Sequence, residues 1–80
     1  MKKKNESLLC DQVTDSLNRF FADMNGEKPR GLYDMVMRQT EKPLLQVVMQ
    51  QADRNQTRAA EMLGINRSTL RKKLRQYGIV

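Results

Sequence analysis

Histidine is absent from this 80-residue chain, tryptophan is absent, and cysteine occurs once, at Cys10. Without histidine there is no imidazole for acid–base work and no Cys2His2 zinc finger. A single thiol cannot close an intrachain disulfide, which fits a reducing cytoplasm, and it is expected to serve as a small buried hydrophobe. Long apolar runs are also missing. After Lys2-Lys3-Lys4 only Leu8, Leu9 and Cys10 precede Asp11, too few for the roughly 7 to 15 apolar residues of a secretory leader. No stretch reaches membrane-span length, so the expectation is a cytoplasmic protein without a membrane partner. No nucleophile–base pair, carboxylate dyad or metal cluster emerges, so an enzyme is the weakest reading, with no catalytic residue, cofactor or metal expected.

What the chain does have is positive charge in one place. Its formal net charge is +6, and from Arg54 onward seven basic residues (Arg54, Arg58, Arg67, Arg71, Lys72, Lys73 and Arg75) face only Glu61. The first 53 residues balance to zero, so the whole excess lies in the last third. A charged stripe can be a merely solvated face. Here it coincides with a motif.

That motif is NQTRAAEMLGINRSTLRKKLRQY, Asn55 to Tyr77. Asn55 is placed to cap a helix running through Leu63, Gly64 to end it, and Asn66 to cap a second helix from Arg67. Small Ala60 allows close approach, and Leu63, Ile65, Leu70 and Leu74 fill the angle between the two helices. The pattern is a helix-turn-helix whose second helix suits a DNA major groove, with the basic stripe as the footprint of phosphate binding.

Upstream the periodicity is helical. Leu9, Val13, Leu17, Phe20, Phe21 and Met24 recur at three- and four-residue steps, predicting an amphipathic helix over about 8–24 with Ser7 as its cap and a disordered polar tail at residues 1–7. Residues 25–31, with two glycines and a proline, read as a loop. Leu32 to about Ala52 reads as a second helix whose apolar residues exceed one stripe, so a second copy of the chain is expected to cover it and form a four-helix core. Pro43 either starts a new helix, with Thr40 as a nearby cap, or bends one long helix. The physics of the residues is neutral between the two. The expected fold class is all-α: dimerisation helices over 8–53 and a helix-turn-helix unit over 54–80.

The run NQTRAAEMLGINRSTLRKKLRQYG, with EKPLLQVVMQ and LNRFFADMNG upstream, closely resembles the Fis (factor for inversion stimulation) family of bacterial nucleoid-associated DNA-bending proteins, from about Leu9 to Gly78. The same helix-turn-helix also ends nitrogen-regulator activators, behind an ATPase domain that this sequence does not show. The Fis resemblance implies four helices, an intertwined homodimer built on the first two, and a bend at Pro43. It implies recognition helices closer together than one DNA turn, hence DNA bending at degenerate sites with A/T-rich centres. By matching positions, Arg67 would read a guanine edge, Asn66 would cap and touch a base edge, and Lys72 would reach bases or nearby phosphate. Asn55, Thr57, Arg58, Thr69, Arg71 and Lys73 match positions that grip phosphates. The plainer alternatives are caps alone for Asn55 and Asn66, an ordinary polar helix residue for Thr69, and packing for Tyr77.

Three departures bear on function. Ser68 stands where the best-known member has a glycine. Asp53-Arg54 occupies the turn that the family uses to touch RNA polymerase, and its sequence differs there. The segment before the first helix is too short for the family's β-hairpin arm, so stimulation of a DNA invertase is not expected. The competing function is an interaction adaptor for polymerase or a recombinase, with DNA as its anchor. A nucleoid-associated transcription regulator is the leading expectation.

Overall fold

The computed structural model describes residues 4–79, with side chains from residue 8 onward. It contains four helices: α1 (Lys4–Asp23), α2 (Leu32–Gln51), α3 (Gln56–Leu63) and α4 (Arg67–Gln76). No strand occurs among the described residues, so the all-α expectation holds. The chain divides into two compact units, one ending at Arg30 and one beginning at Gly31.

In the first unit α1 starts at Lys4, four residues earlier than the apolar period suggests. Ser7 therefore lies inside the helix and does not cap it. Lys and Glu are good helix formers, so Lys4 and Glu6 extend the helix where no apolar contact marks it. The tail expected at residues 1–7 is thus helical from residue 4, and residues 1–3 lie outside the described residues. Leu17, Phe20 and Met24 are half-buried, and the Phe20 and Phe21 rings meet edge to face with centroids 5.7 Å apart. Leu8, Leu9, Val13 and Phe21 are exposed. Cys10 is exposed as well, contrary to the burial expected of it. It sits on a stretch of helix whose apolar neighbours Leu8, Leu9 and Val13 are themselves uncovered in the single chain.

The second unit holds the core. Leu45, Met49 and Ala52 of the α2 end pack with Ala59 and Ala60 of α3 and with Leu70 and Leu74 of α4, ringed by Val48, Leu63, Ile65, Tyr77 and Ile79. Leu45, Leu70 and Leu74 are almost fully buried, each worth about 1.5–3 kcal/mol of apolar transfer. The alanines matter by being small: at Ala59 and Ala60 the backbone of α3 comes close to its neighbours. The proposed division between dimerisation and DNA-binding segments at 53/54 falls inside this packed unit, because the end of α2 supplies part of the helix-turn-helix core.

α2 runs unbroken through Pro43, which resolves the two readings in favour of one helix. Thr40 is no cap: its hydroxyl donates back to the Val36 carbonyl at 2.8 Å and lies 3.2 Å from that of Met37. On the flank of α2 beside its buried face, Tyr33, Met37, Leu44 and Val47 are exposed, Tyr33 by 78% and Val47 by 54%. With Thr40 they fall at alternating steps of four and three residues, the spacing of a helix–helix seam.

Each helix of the second unit ends alike. Arg54 N–H donates to the Met49 carbonyl and Asp53 N–H to that of Gln50, and the same pair of bonds recurs at Ile65/Gly64 and Ile79/Gly78. The pattern needs a left-handed residue just past the helix. Gly64 supplies it at φ 74°, whereas after α2 the position falls to Asp53 at φ 55°, followed by Arg54 at φ 62°. Two consecutive non-glycine residues in this region are strained.

Candidate nucleic-acid interface

The candidate interface comprises two capped helix starts and one polar face. Asn55 has extended backbone and its side-chain oxygen accepts the Arg58 N–H at 3.0 Å, closing the first turn of α3. Asn66 does the same for α4: its Oδ1 accepts the Ser68 N–H at 2.9 Å and the Ser68 hydroxyl at 2.7 Å. Capping by both asparagines is therefore real, and both stay exposed. The free N–H groups of such helix starts favour an anion.

α4 has two sides. Leu70 and Leu74 are buried and Tyr77 is half-buried, which fixes the inward side. At 3.6 residues per turn, Ser68, Lys72 and Arg75 lie opposite, with Arg71 and Gln76 beside them. All five are exposed, as are Arg67 and Thr69 at the start of the helix. On α3, Thr57 and Arg58 are exposed at the same end as Asn55. Arg58 lies 3.6 Å from Asp53 as a loose surface pair, which a competing anion can displace. The helix-turn-helix thus presents Arg71, Lys72 and Arg75 on one outward helix surface, with Arg67 exposed at the first turn of the same helix.

Two features go beyond the residues singled out from sequence. Arg75 shares the outward face with Lys72 and Arg71, three and four residues before it; that spacing was visible in the sequence. Glu41 of α2 is the second. Its Oε2 lies 2.8 Å from Lys73 Nζ, and its Oε1 accepts the Tyr77 hydroxyl at 2.6 Å. Lys73, expected to hold a phosphate, is half-buried and turned toward α2. The ammonium and the phenol hold the Glu41 carboxyl below its ordinary range, while the carboxylate pushes the Tyr77 phenol up. Tyr77 is a packing residue, as its position beside Leu74 suggests. No sequence signal marks Glu41, because its partners lie more than thirty positions away.

Among the described residues no group of three or more His, Cys, Asp and Glu side chains is placed to hold a metal ion. No helix is long and apolar enough to cross a membrane.

A capped helix pair crossing at Gly64 over a shared leucine and alanine core, with its second helix basic on the outside, defines the helix-turn-helix class. The match to known proteins is narrower. The family model described as "Bacterial regulatory protein, Fis family" matches residues 36–77. The chain is 52% identical over 68 residues to a Fis-like DNA-binding protein of Ralstonia nicotianae, covering 85% of this chain and 88% of that one. A Fis-like DNA-binding protein of Neisseria meningitidis serogroup B is 53% identical over 68 residues, covering 85% and 86%. The DNA-binding protein Fis of Proteus mirabilis is 52% identical over 71 residues, covering 89% of this chain and 72% of its own length. This chain belongs to the Fis family of bacterial regulatory proteins.

Proposed function

We propose that the chain is a dimeric, DNA-bending, nucleoid-associated protein of the cytoplasm that regulates transcription at degenerate sites with A/T-rich centres. The observation that carries this reading is the outward face of α4. Arg71, Lys72 and Arg75 stand exposed there and Arg67 at the first turn, with no acidic residue among them, on a helix whose other side is locked into a core. Relatives at 52% identity bear DNA-binding in their names. Arg67, at the first turn, reads a guanine edge in the major groove; Asn66 and Lys72 add base or nearby phosphate contacts; Asn55, Thr57, Arg58, Thr69 and Arg71 hold the backbone.

Dimerisation rests on the exposed seam of α2, Tyr33, Met37, Leu44 and Val47, which a second copy would cover. Two recognition helices fixed closer than one DNA turn require the duplex to bend, so the uncontacted centre contributes by how easily it deforms. In an electrophoretic mobility assay, Arg67→Ala should weaken specific binding by about 1–3 kcal/mol per half-site and relax the guanine preference. Unchanged affinity would remove Arg67 from the site. Sedimentation of the free protein tests the dimer, and a monomer at micromolar concentration would overturn that part.

A second reading, an adaptor that contacts RNA polymerase, has one observation in its favour. Asp53 and Arg54 are exposed and hold strained left-handed backbone at the turn before α3, and strain retained at a surface turn often marks function. Transcription in vitro from a bound promoter, with and without Arg54→Ala, separates activation from binding alone.

A further inference from the structure

In sequence Lys73 is one of a run of basic residues on the recognition helix, and charge alone would send it to the DNA. The structure sends it the other way. Lys73 and Tyr77 are one turn apart on α4, and both reach the same carboxylate of Glu41, one oxygen each, at 2.8 and 2.6 Å. The Lys73 and Glu41 side chains are 34% and 29% exposed, whereas those of the Arg58–Asp53 pair are 57% and 86% exposed at a longer distance. Glu41 lies one turn before Leu45, and Lys73 and Tyr77 bracket Leu74, so the cluster closes over the rim of the leucine core. Among the described residues these are the only side-chain hydrogen bonds or ion pairs that join α2 to α4.

We propose that Glu41 is a positioning residue for DNA binding: it clamps the C-terminal half of the recognition helix to α2, and in doing so withdraws Lys73 from phosphate contact. This rests on the DNA-binding reading above and refines its residue set. Apolar packing by Leu70 and Leu74 holds α4 against the core but is non-directional. A carboxylate that takes one hydrogen bond on each oxygen fixes the rotation of α4 about its own axis, and with it the direction in which Arg67, Arg71 and Lys72 point. α2 also carries the exposed seam, so the clamp ties the orientation of the reading helix to the helix proposed to set dimer spacing.

The test is a charge swap in the full chain. Glu41→Lys, Lys73→Glu and the double swap are titrated against a duplex carrying a specific site and against a scrambled one, over a range of KCl. Electrostatics without the clamp predicts that Glu41→Lys, which adds positive charge, binds DNA more tightly. The clamp predicts the reverse: each single swap weakens specific binding by about fivefold or more, as expected for loss of a hydrogen-bonded charge. The double swap should return to within about threefold of wild type with the wild-type salt slope, since no phosphate contact has been lost. Tighter binding by Glu41→Lys, or a double swap as weak as Lys73→Glu alone, would overturn the proposal and return Lys73 to the phosphate set.

Should a single swap fail to fold, as judged by circular dichroism, Lys73→Gln provides the second measurement. An unchanged salt slope supports the clamp, and a slope reduced by about 0.9 per subunit refutes it. Wild-type protein that binds neither duplex would instead bring down the DNA-binding reading, an outcome distinct from failure of the swap to rescue.

Discussion

Asn66 offers a substitution on which its two roles pull in opposite directions. Its side-chain oxygen accepts from the Ser68 N–H and the Ser68 hydroxyl, and the residue is exposed at the start of α4, its amide nitrogen engaged in no hydrogen bond among the described residues. Asn66→Asp keeps the accepting oxygen, and the two residues are equivalent as caps. The new carboxylate also lies against the positive end of the helix dipole, a favourable interaction of about 0.3–1 kcal/mol. Stability should therefore hold or rise; a gain of 1 kcal/mol would raise the melting temperature by roughly 4–8 °C in a domain of this size. DNA binding should respond the other way. The substitution removes the amide donor and sets a negative charge beside Arg67, at the end of the helix proposed to face the phosphates. Loss of a good base-edge contact costs about 1–3 kcal/mol, or roughly 5- to 150-fold per half-site. Thermal melting by circular dichroism and fluorescence anisotropy on a labelled specific duplex, at one fixed salt concentration, give both readouts. A variant that melts as high as wild type yet binds the duplex within about twofold would show that Asn66 is a cap and nothing more. The start of α4 would then not face the DNA as proposed.

Three further outcomes are expected. Leu74→Ala, at a fully buried position, should destabilise the protein by about 2–5 kcal/mol in chemical denaturation; a loss below 1 kcal/mol would mean that the α2–α4 core is not the one described. Leu44→Asp changes a side chain 51% exposed in the single chain, so the helix-turn-helix should keep its fold while sedimentation shifts from dimer to monomer; a dimer that survives places the interface elsewhere. The Glu41 carboxyl is held below its ordinary value of 4.5 by Lys73 and then Tyr77, so its contribution is present above that value and fades as pH falls through the lowered one. The Tyr77 phenol is raised above 10.0 chiefly by Glu41, with Asp34 adding to the shift and Arg38 opposing it, so its contribution holds below that value and fades as pH rises through the raised one. Melting curves of wild type and Glu41→Gln should therefore converge in acid and in strong base; a constant gap from pH 3 to 11 would refute the linkage.

The parts of the fold that the sequence made legible are those written in local chemistry. Asn55, Gly64 and Asn66 bound their helices because a cap oxygen and a left-handed glycine act within a few residues. The core leucines of α4 follow from a four-residue step. Legibility ended where partners are distant or missing. Lys73 reads as one more basic residue on a basic helix, and only the position of Glu41 across the core reverses its direction. Ser7 looked like a cap because the apolar period starts after it, but polar helix formers carry α1 back to Lys4 without leaving an apolar trace. Cys10 was assigned to a core by its residue type, while the chain by itself leaves its neighbours Leu9 and Val13 uncovered. Arg75 was within reach, since its spacing from Arg71 and Lys72 already set it on the same face.

The two surfaces proposed for dimerisation and for DNA binding meet on α2. Leu45, Met49 and Ala52 on one side of that helix are buried in the helix-turn-helix core, while Tyr33, Met37, Leu44 and Val47 on its flank are exposed at seam spacing. A single rigid element therefore carries both surfaces, roughly a quarter-turn to a third of a turn apart. In the proposed dimer, side chains at seam positions would set how close two such helices approach, and each recognition helix is referred to its own α2 through the leucines and Glu41. A small change in the seam would thus be transmitted to the separation of the two reading heads with little lost in flexible connection. In a protein proposed to bend DNA by holding those heads closer than one helical turn, that coupling is the quantity on which the bend depends. On that proposal the continuity of α2 through Pro43, where an interrupted helix would have let the two surfaces move independently, is part of the DNA-binding apparatus.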